Sequence, residues 1–330
     1  MENILIIRLK AIGDVVFTLP AVNLIRDHFP TAKISFLTSQ ENVSLLHGFR
    51  AVDEVIALDR AAFRSGNPLR ILPAAGRLLR RLRAGEFSLA VDFQGFGETA
   101  WFTRLSGAPQ RWGSVYGTGR SWAYTRGVIR EKTMHPADWN LHLLHQAGLK
   151  ASLIRNDFAL PASDLQAALA FMAENKLESR QPLLLIQPFT SSPQKNWPLE
   201  NYLAVARHWR QQGVQIIFIG GPADRPKLAP AAVEGFCVAT GTSLMVSAGL
   251  TQLATLTLGG DTGLGHLAVA QNKRVVMLMM HKKPGACVPF QHPDWVLTPE
   301  NSENIGEITV ASVIHATAAG LNPPAGNVSC

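Results

Sequence analysis

Short apolar runs alternate along this chain with segments of helical period. Asn3 to Arg8 is the first such run; it is followed by a turn at Lys10-Ala11-Ile12-Gly13 and then by Val15, Leu19, Val22 and Ile25 on one helical stripe. Further apolar runs at Lys33 to Thr38, Glu54 to Leu58 and Leu89 to Phe93 predict strands. Helical patterns around Leu69 to Arg83 and Gly97 to Leu105 fall between or after them. A stretch rich in Ser, Asp and Ala near residues 161 to 166 interrupts the pattern, which then restarts. Leu183 to Gln187, Val214 to Gly220, Leu256 to Gly259 and Arg274 to Met279 read as strands, and Glu200 to Gln211 as a helix. Strands that alternate with helices imply parallel sheets covered on both faces. Two α/β domains are expected, with the boundary beside or inside the helical Leu165 to Asn175 segment, and no sequence repeat relates them.

In such sheets ligands bind beyond the carboxyl ends of the strands, so the loops there carry the candidate chemistry. The first, Arg8 to Asp14, brings a carboxylate to the start of a helix. Asp14 can be a helix N-cap or a general base, and the two roles are compatible because a helix N-terminus favours an ionised carboxylate. The second, Gln187 to Trp197, offers Thr190, Ser191, Ser192 and Lys195 as a phosphate cradle; its other reading is a surface loop rich in turn residues. The third is Gly259-Gly260-Asp261-Thr262-Gly263-Leu264-Gly265-His266. Its glycines allow close approach of a diphosphate, and His266 is either a ligand contact or a structural hydrogen-bonder.

Charge divides the halves. The net charge of +7 lies wholly in residues 1 to 150, with 19 Lys and Arg against 12 Asp and Glu, whereas residues 151 to 330 hold 12 of each. Arg60, Arg64, Arg70, Arg77, Arg80, Arg81 and Arg83 lie in one stretch without an acidic residue. That stretch is a solvated helix face or a surface for phosphates of a glycolipid, membrane or nucleic acid. Aromatic interleaving of the kind that binds nucleic acid is absent, with only Phe63 in the stretch.

Other classes lose support. No apolar run approaches the ~18 residues of a membrane span, and the Ile4 to Ile7 run is too short for a signal-peptide core, so a cytoplasmic protein is expected. Cys237, Cys287 and Cys330 form no CxxC pair or Cys/His cluster and are expected to be reduced thiols. No GxGxxG follows the first strand, and neither a GxSxG elbow nor an HExxH helix occurs. No DxD-like pair follows a strand to hold a metal diphosphate, which favours chemistry without a metal or cofactor.

Two segments carry a family resemblance. Arg8-Leu9-Lys10-Ala11-Ile12-Gly13-Asp14-Val15 continuing to Thr18-Leu19-Pro20-Ala21-Val22, and Asp261-Thr262-Gly263-Leu264-Gly265-His266-Leu267-Ala268, resemble the signatures of glycosyltransferase family 9, the ADP-heptose:lipopolysaccharide heptosyltransferases. Asp92-Phe93-Gln94-Gly95, Leu105-Ser106-Gly107-Ala108, Lys195 with Trp197, and Gly220-Gly221-Pro222 add to it, so that the likeness runs from about residue 3 to 278.

The resemblance implies a GT-B fold of two facing Rossmann-like domains with parallel sheets: residues 1–170 for the acceptor and 171–330 for the nucleotide sugar. It implies an inverting, metal-independent transfer of heptose from ADP-heptose to the inner core of lipopolysaccharide. Asp14 would be the general base, and Lys195 would offset the charge of the leaving diphosphate. Thr190, Ser191, Asp224, Thr242, Asp261, Thr262, Gly263 and His266 would join Lys195 in binding the donor. Arg120, with Arg60, Arg64, Arg77, Arg80 and Arg81, would meet an anionic lipid A/inner-core glycolipid. The enzyme would then work peripherally on the cytoplasmic face of the inner membrane, without nucleic acid. Met280-His281-Lys282-Lys283-Pro284-Gly285 stands where many members have a Gly-Pro-Thr turn, and Thr242 where methionine is common. Both departures are on the donor side, and the alternative is a related transferase with a different nucleotide sugar. A nonenzymatic anion- or nucleic-acid-binding protein is the reading from charge alone.

Overall fold

The computed structural model describes residues 2–321 and contains two compact units that divide after Ala159. In the first, β1 (Asn3–Ile7), β2 (Lys33–Ser39), β3 (Glu54–Leu58), β4 (Leu89–Asp92), β5 (Gln110–Val115) and β6 (Arg126–Ile129) form one parallel sheet in the order β3-β2-β1-β4-β5-β6. The second repeats the topology, with β7 (Leu183–Gln187), β8 (Gln215–Ile219), β9 (Cys237–Ala239), β10 (Leu256–Gly260), β11 (Val275–Leu278) and β12 (Val296–Leu297) in the order β12-β11-β10-β7-β8-β9. Each unit is therefore Rossmann-like, and the order in which strands are added to the parallel sheet reverses between β1 and β4 and between β10 and β7.

The central strands are continuous apolar runs because helices cover both of their faces: Leu5, Ile6 and Ile7 of β1 and Leu184 to Ile186 of β7 are fully buried. In the second unit, Trp197, Tyr202 and Trp209 fill the layer between sheet and helices, each worth roughly 1.5–3 kcal/mol by burial. Their polar ends are satisfied where a partner is within reach. Trp197 Nε1 donates to Ile308 O at 2.9 Å, and Trp209 Nε1 to Thr317 Oγ1 at 2.9 Å.

Three expectations change. The boundary falls eleven residues before 170/171, because the helix Ala162–Glu174 packs on the helix Leu244–Leu253 of the second unit. A Cβ on Gly249 would lie 2.5 Å from Ala168 Cβ, so glycine is what admits that approach. The first helix is two, Ile12–Val16 and Leu19–His28: Pro20 has no N–H for the Val16 carbonyl, and Thr18 Oγ1 instead donates to Val15 O at 2.7 Å. Strands β5, β6, β9 and β12 were not among the expected ones. β5 begins Gln-Arg and contains glycine, β6 is a largely exposed edge, and β9 and β12 are three and two residues long.

Among the described residues no helix is long and apolar enough to cross a membrane. Cys237 is a free thiol, and burial pushes it up to about 11. Cys330 lies outside the described residues.

Candidate active site

The first unit gathers its chemistry where β1 and β4 lie side by side. Asp14 is not an N-cap. It is the third residue of its five-residue helix, and its Oδ2 accepts from the Ala11 backbone N–H at 3.1 Å. The same oxygen meets Arg8 Nη2 at 2.7 Å, while the side chain is 37% exposed. Oδ1 takes part in neither contact. Arg8, at the end of β1, is nearly buried and also donates to Phe93 O at 3.0 Å, which ties the Asp14 loop to the loop after β4.

That second loop is built around Asp92. Its Oδ1 accepts the Gln94 and Gly95 N–H groups, both at 2.9 Å, and its Oδ2 accepts Tyr124 Oη at 2.7 Å. Complete burial raises the Asp92 carboxyl, against the pull of those hydrogen bonds; burial first, and then the Asp92 charge, pushes the Tyr124 phenol up. The turn delivers Gln94 Oε1 to the Leu9 N–H at 2.9 Å. Gly95 has φ +71°, and a Cβ there would sit 2.2 Å from Ser114 O, so the turn requires glycine. Arg120 Nη1 donates to Gly95 O at 3.1 Å, so Arg120 joins the same lip as Asp14 through an unbroken series of bonds.

The other arginines are placed differently. Arg60 pairs with Glu98 at 3.3 Å, and Arg81 pairs with Glu54, which also holds Lys33. The stretch that lacks acids in sequence thus acquires them in space. Arg64, Arg77 and Arg80 are exposed. Arg77 and Arg81 line a cavity of about 310 Å³ with Asp59, Phe63 and the edge of β3.

In the second unit, the loops after β7 and β10 interlock. Gly260 allows this, since a Cβ there would be 2.6 Å from Thr190 Cγ2. Lys195 Nζ meets Asp261 Oδ2 at 2.8 Å, and His266 Nε2 meets Asp261 Oδ1 at 3.0 Å. Burial alone would raise the Asp261 carboxyl, but His266 and Lys195 together outweigh it and hold it at about 2. The hydrogen bond to Asp261 raises the Lys195 ammonium. Thr262 caps the helix Gly263–Ala270 by accepting the Gly265 N–H, and its Oγ1 donates to Gln187 Oε1 at 2.6 Å.

Not every predicted donor ligand is uncommitted. The Thr190 hydroxyl is engaged within its own loop, bonded to Asn196 Oδ1 and Ser192 O, whereas Ser191 is exposed. Asp224 caps its turn through Gly221 N–H and pairs with Lys227 at 3.0 Å. Thr242 Oγ1 lies 2.9 Å from Ser247 Oγ. All of them follow the carboxyl ends of β7, β8, β9 and β10. A cavity of about 240 Å³ is lined by Lys195 and Asp261 together with Leu278 to His281 and Gly285 to Cys287. Arg8, Asp92, Tyr124, Gln187 and Cys287 carry no assigned role on sequence alone. For Asp92 the Asp-Phe-Gln-Gly motif was the available signal; the other contacts follow only from strand register.

Residues 75–305 match the family described as glycosyltransferase family 9 (heptosyltransferase). The chain is 24% identical over 310 residues to the lipopolysaccharide core heptosyltransferase OpsX of Haemophilus influenzae, which covers 90% of this chain and 84% of the relative. Among solved structures, a glycosyl transferase family 9 protein of Veillonella parvula superposes with a TM-score of 0.86 at 21% identity, covering 97% of each chain. The E. coli heptosyltransferase WaaC with ADP gives 0.78 at 20% identity, covering 96% of this chain and 99% of that one.

Proposed function

The chain belongs to glycosyltransferase family 9, and from that premise we propose that it transfers a heptose from ADP-heptose to the inner core of lipopolysaccharide, with inversion and without a metal. The observation that carries this reading is the Asp14 carboxylate: part-exposed at the β1/β4 switch point, with Oδ2 taken by Arg8 and Ala11 and Oδ1 left to receive a proton. Single displacement at an anomeric carbon needs one such base. The acceptor hydroxyl gives its proton to Asp14 as its oxygen attacks, and the bond from the anomeric carbon to the ADP diphosphate breaks.

Charge then builds on the leaving diphosphate, and Lys195 is the group to meet it. Lys195 is held by Asp261. An arriving diphosphate would draw the ammonium over, with the Ser191 hydroxyl and the N–H groups that open the Gly263–Ala270 helix as further donors. His281 and Gly285 to Cys287 share the cavity of Lys195 and Asp261, which makes that loop the natural reader of the donor sugar. The acceptor side falls to Arg120 on the Asp14 lip, with Arg60, Arg64, Arg77, Arg80 and Arg81 beyond it. Action at the cytoplasmic face of the inner membrane is supported by the helix Pro68–Ala84, where exposed Leu69 and Leu72 stand among those arginines.

Thermal shift tests the donor assignment. ADP is expected to stabilise the protein more than UDP or GDP, by about 2.7 kcal/mol at 100 times its dissociation constant, and Lys195→Ala to lose most of that. Equal shifts with the three nucleotides, or an undiminished shift in Lys195→Ala, would overturn it.

A further inference from the structure

Beyond the Asp14 lip, the first unit exposes four large rings in two pairs. Phe96, which precedes the helix Gly97–Leu105, lies 5.5 Å from Tyr116, which follows β5. Trp101, within that helix, lies 4.6 Å from Trp122 in the single turn Thr118–Ala123. The pairs are tilted by 46° and 59°, and all four residues remain 41–55% exposed. Packing helix to turn does not require this, since the buried Ala100, Val115, Ala123 and Tyr124 already close that contact. Clustered exposed rings instead mark a surface that binds something.

We propose that Phe96, Trp101, Tyr116 and Trp122 form a stacking shelf for the pyranose rings of the acceptor saccharide; the inference rests on the glycolipid acceptor proposed above. Three observations select this occupant. The shelf is continuous with the Asp14 lip, because Phe96 directly follows Gly95, whose carbonyl holds Arg120, and Phe93 O is held by Arg8. Its charge suits an anionic glycan: Arg120 lies between Tyr116 and Trp122 in the chain, and the Arg130 guanidinium lies 5.5 Å from the Tyr116 ring centre. Its four members are all aromatic. The C–H bonds on one face of a pyranose meet the negative face of an aromatic ring, while its hydroxyls and acidic substituents stay at the edge for arginines. Acyl chains have no such preference for rings, and a cluster of exposed leucines, Leu69, Leu72 and Leu79, is on the helix Pro68–Ala84 instead.

The test uses a lipid-free probe, the fully deacylated saccharide of a heptose-deficient lipopolysaccharide, titrated against wild type, Trp101→Phe, Trp101→Leu, Trp122→Phe and Trp122→Leu. Phe keeps a ring, and Leu keeps apolar bulk without one. Each Leu variant is expected to weaken saccharide binding and raise the acceptor KM up to ~10-fold, given about 0.5–1.5 kcal/mol per aromatic contact, with kcat and the ADP thermal shift held. Each Phe variant should stay close to wild type. Leu variants that bind the saccharide as wild type does would overturn the shelf. So would loss of binding to phosphatidylglycerol vesicles with saccharide affinity intact, which would make the rings a lipid contact. The glycolipid reading is judged separately, by whether wild type binds the saccharide at all.

Discussion

At the residue scale, the two carboxylates of the proposed site are held in different ways. Asp14 is held by one arginine and one backbone N–H, both at Oδ2, and its side chain stays part-exposed, which suits the proposed proton acceptor. Asp261 is largely enclosed and answers two partners at once. Its folded value of about 2, against an ordinary 3.8, makes it a pH-dependent source of stability. The sign follows from the depressed value. The contribution is complete above the unfolded value of 3.8 and is lost as pH falls through about 2. In urea unfolding of wild type and Asp261→Asn, the gap between the two should therefore close by about 2 kcal/mol between pH 4 and 2. A gap independent of pH would mean that His266 and Lys195 do not depress this carboxyl. Both residues were legible as candidates in sequence because each follows an apolar strand and precedes or opens a helical pattern. Their partners were less so: Lys195 and Asp261 are 66 positions apart, and only the pairing of β7 with β10 brings their loops together.

At the element scale, the central strands were readable because burial on both faces demands continuous apolar residues, and the edges were not. Strand β5 illustrates the cost of reading hydrophobicity alone. Gly113, which weakens it as a strand signal, is paired with Asp92 across the ladder and leaves room for the Tyr124 ring. A Cβ at Gly113 would lie 2.1 Å from Tyr124 Cε1. Gly113→Ala should displace that ring, and Tyr124→Phe should remove its hydroxyl from the buried Asp92. Each is expected to cost roughly 1–3 kcal/mol by overpacking or by an unmet buried acceptor. Both changes break the same hydrogen bond, that from Tyr124 Oη to Asp92, so the double variant should cost less than the sum of the two. Additive losses in denaturant unfolding would show that Gly113 serves some other contact. The split of the first helix follows the same lesson, since the stripe Val15, Leu19, Val22 and Ile25 persists through a break that Pro20 imposes.

At the scale of the whole molecule, the architecture was legible from the restart of the strand and helix pattern, and its boundary was not. The helix Ala162–Glu174 carries no apolar signature that distinguishes one unit from the other; only its packing against Leu244–Leu253 assigns it. Charge divides along the same line as the proposed labour, with the excess on the unit that holds Asp14, Arg120 and the arginine-rich helix, and neutrality on the unit that holds Lys195 and Asp261. The proposed transfer draws on residues of both units, so turnover tests them together. The most direct measurement is acceptor-dependent release of ADP from ADP-heptose, with heptose-deficient lipopolysaccharide as acceptor, by wild type and by Asp14→Asn. Asn preserves an oxygen for Ala11 N–H and for Arg8 but cannot take a proton, so the variant should fold, show the normal ADP thermal shift, and turn over about 10²-fold or more slowly. Near-normal release by folded Asp14→Asn, or release by wild type that does not depend on the acceptor, would contradict the account.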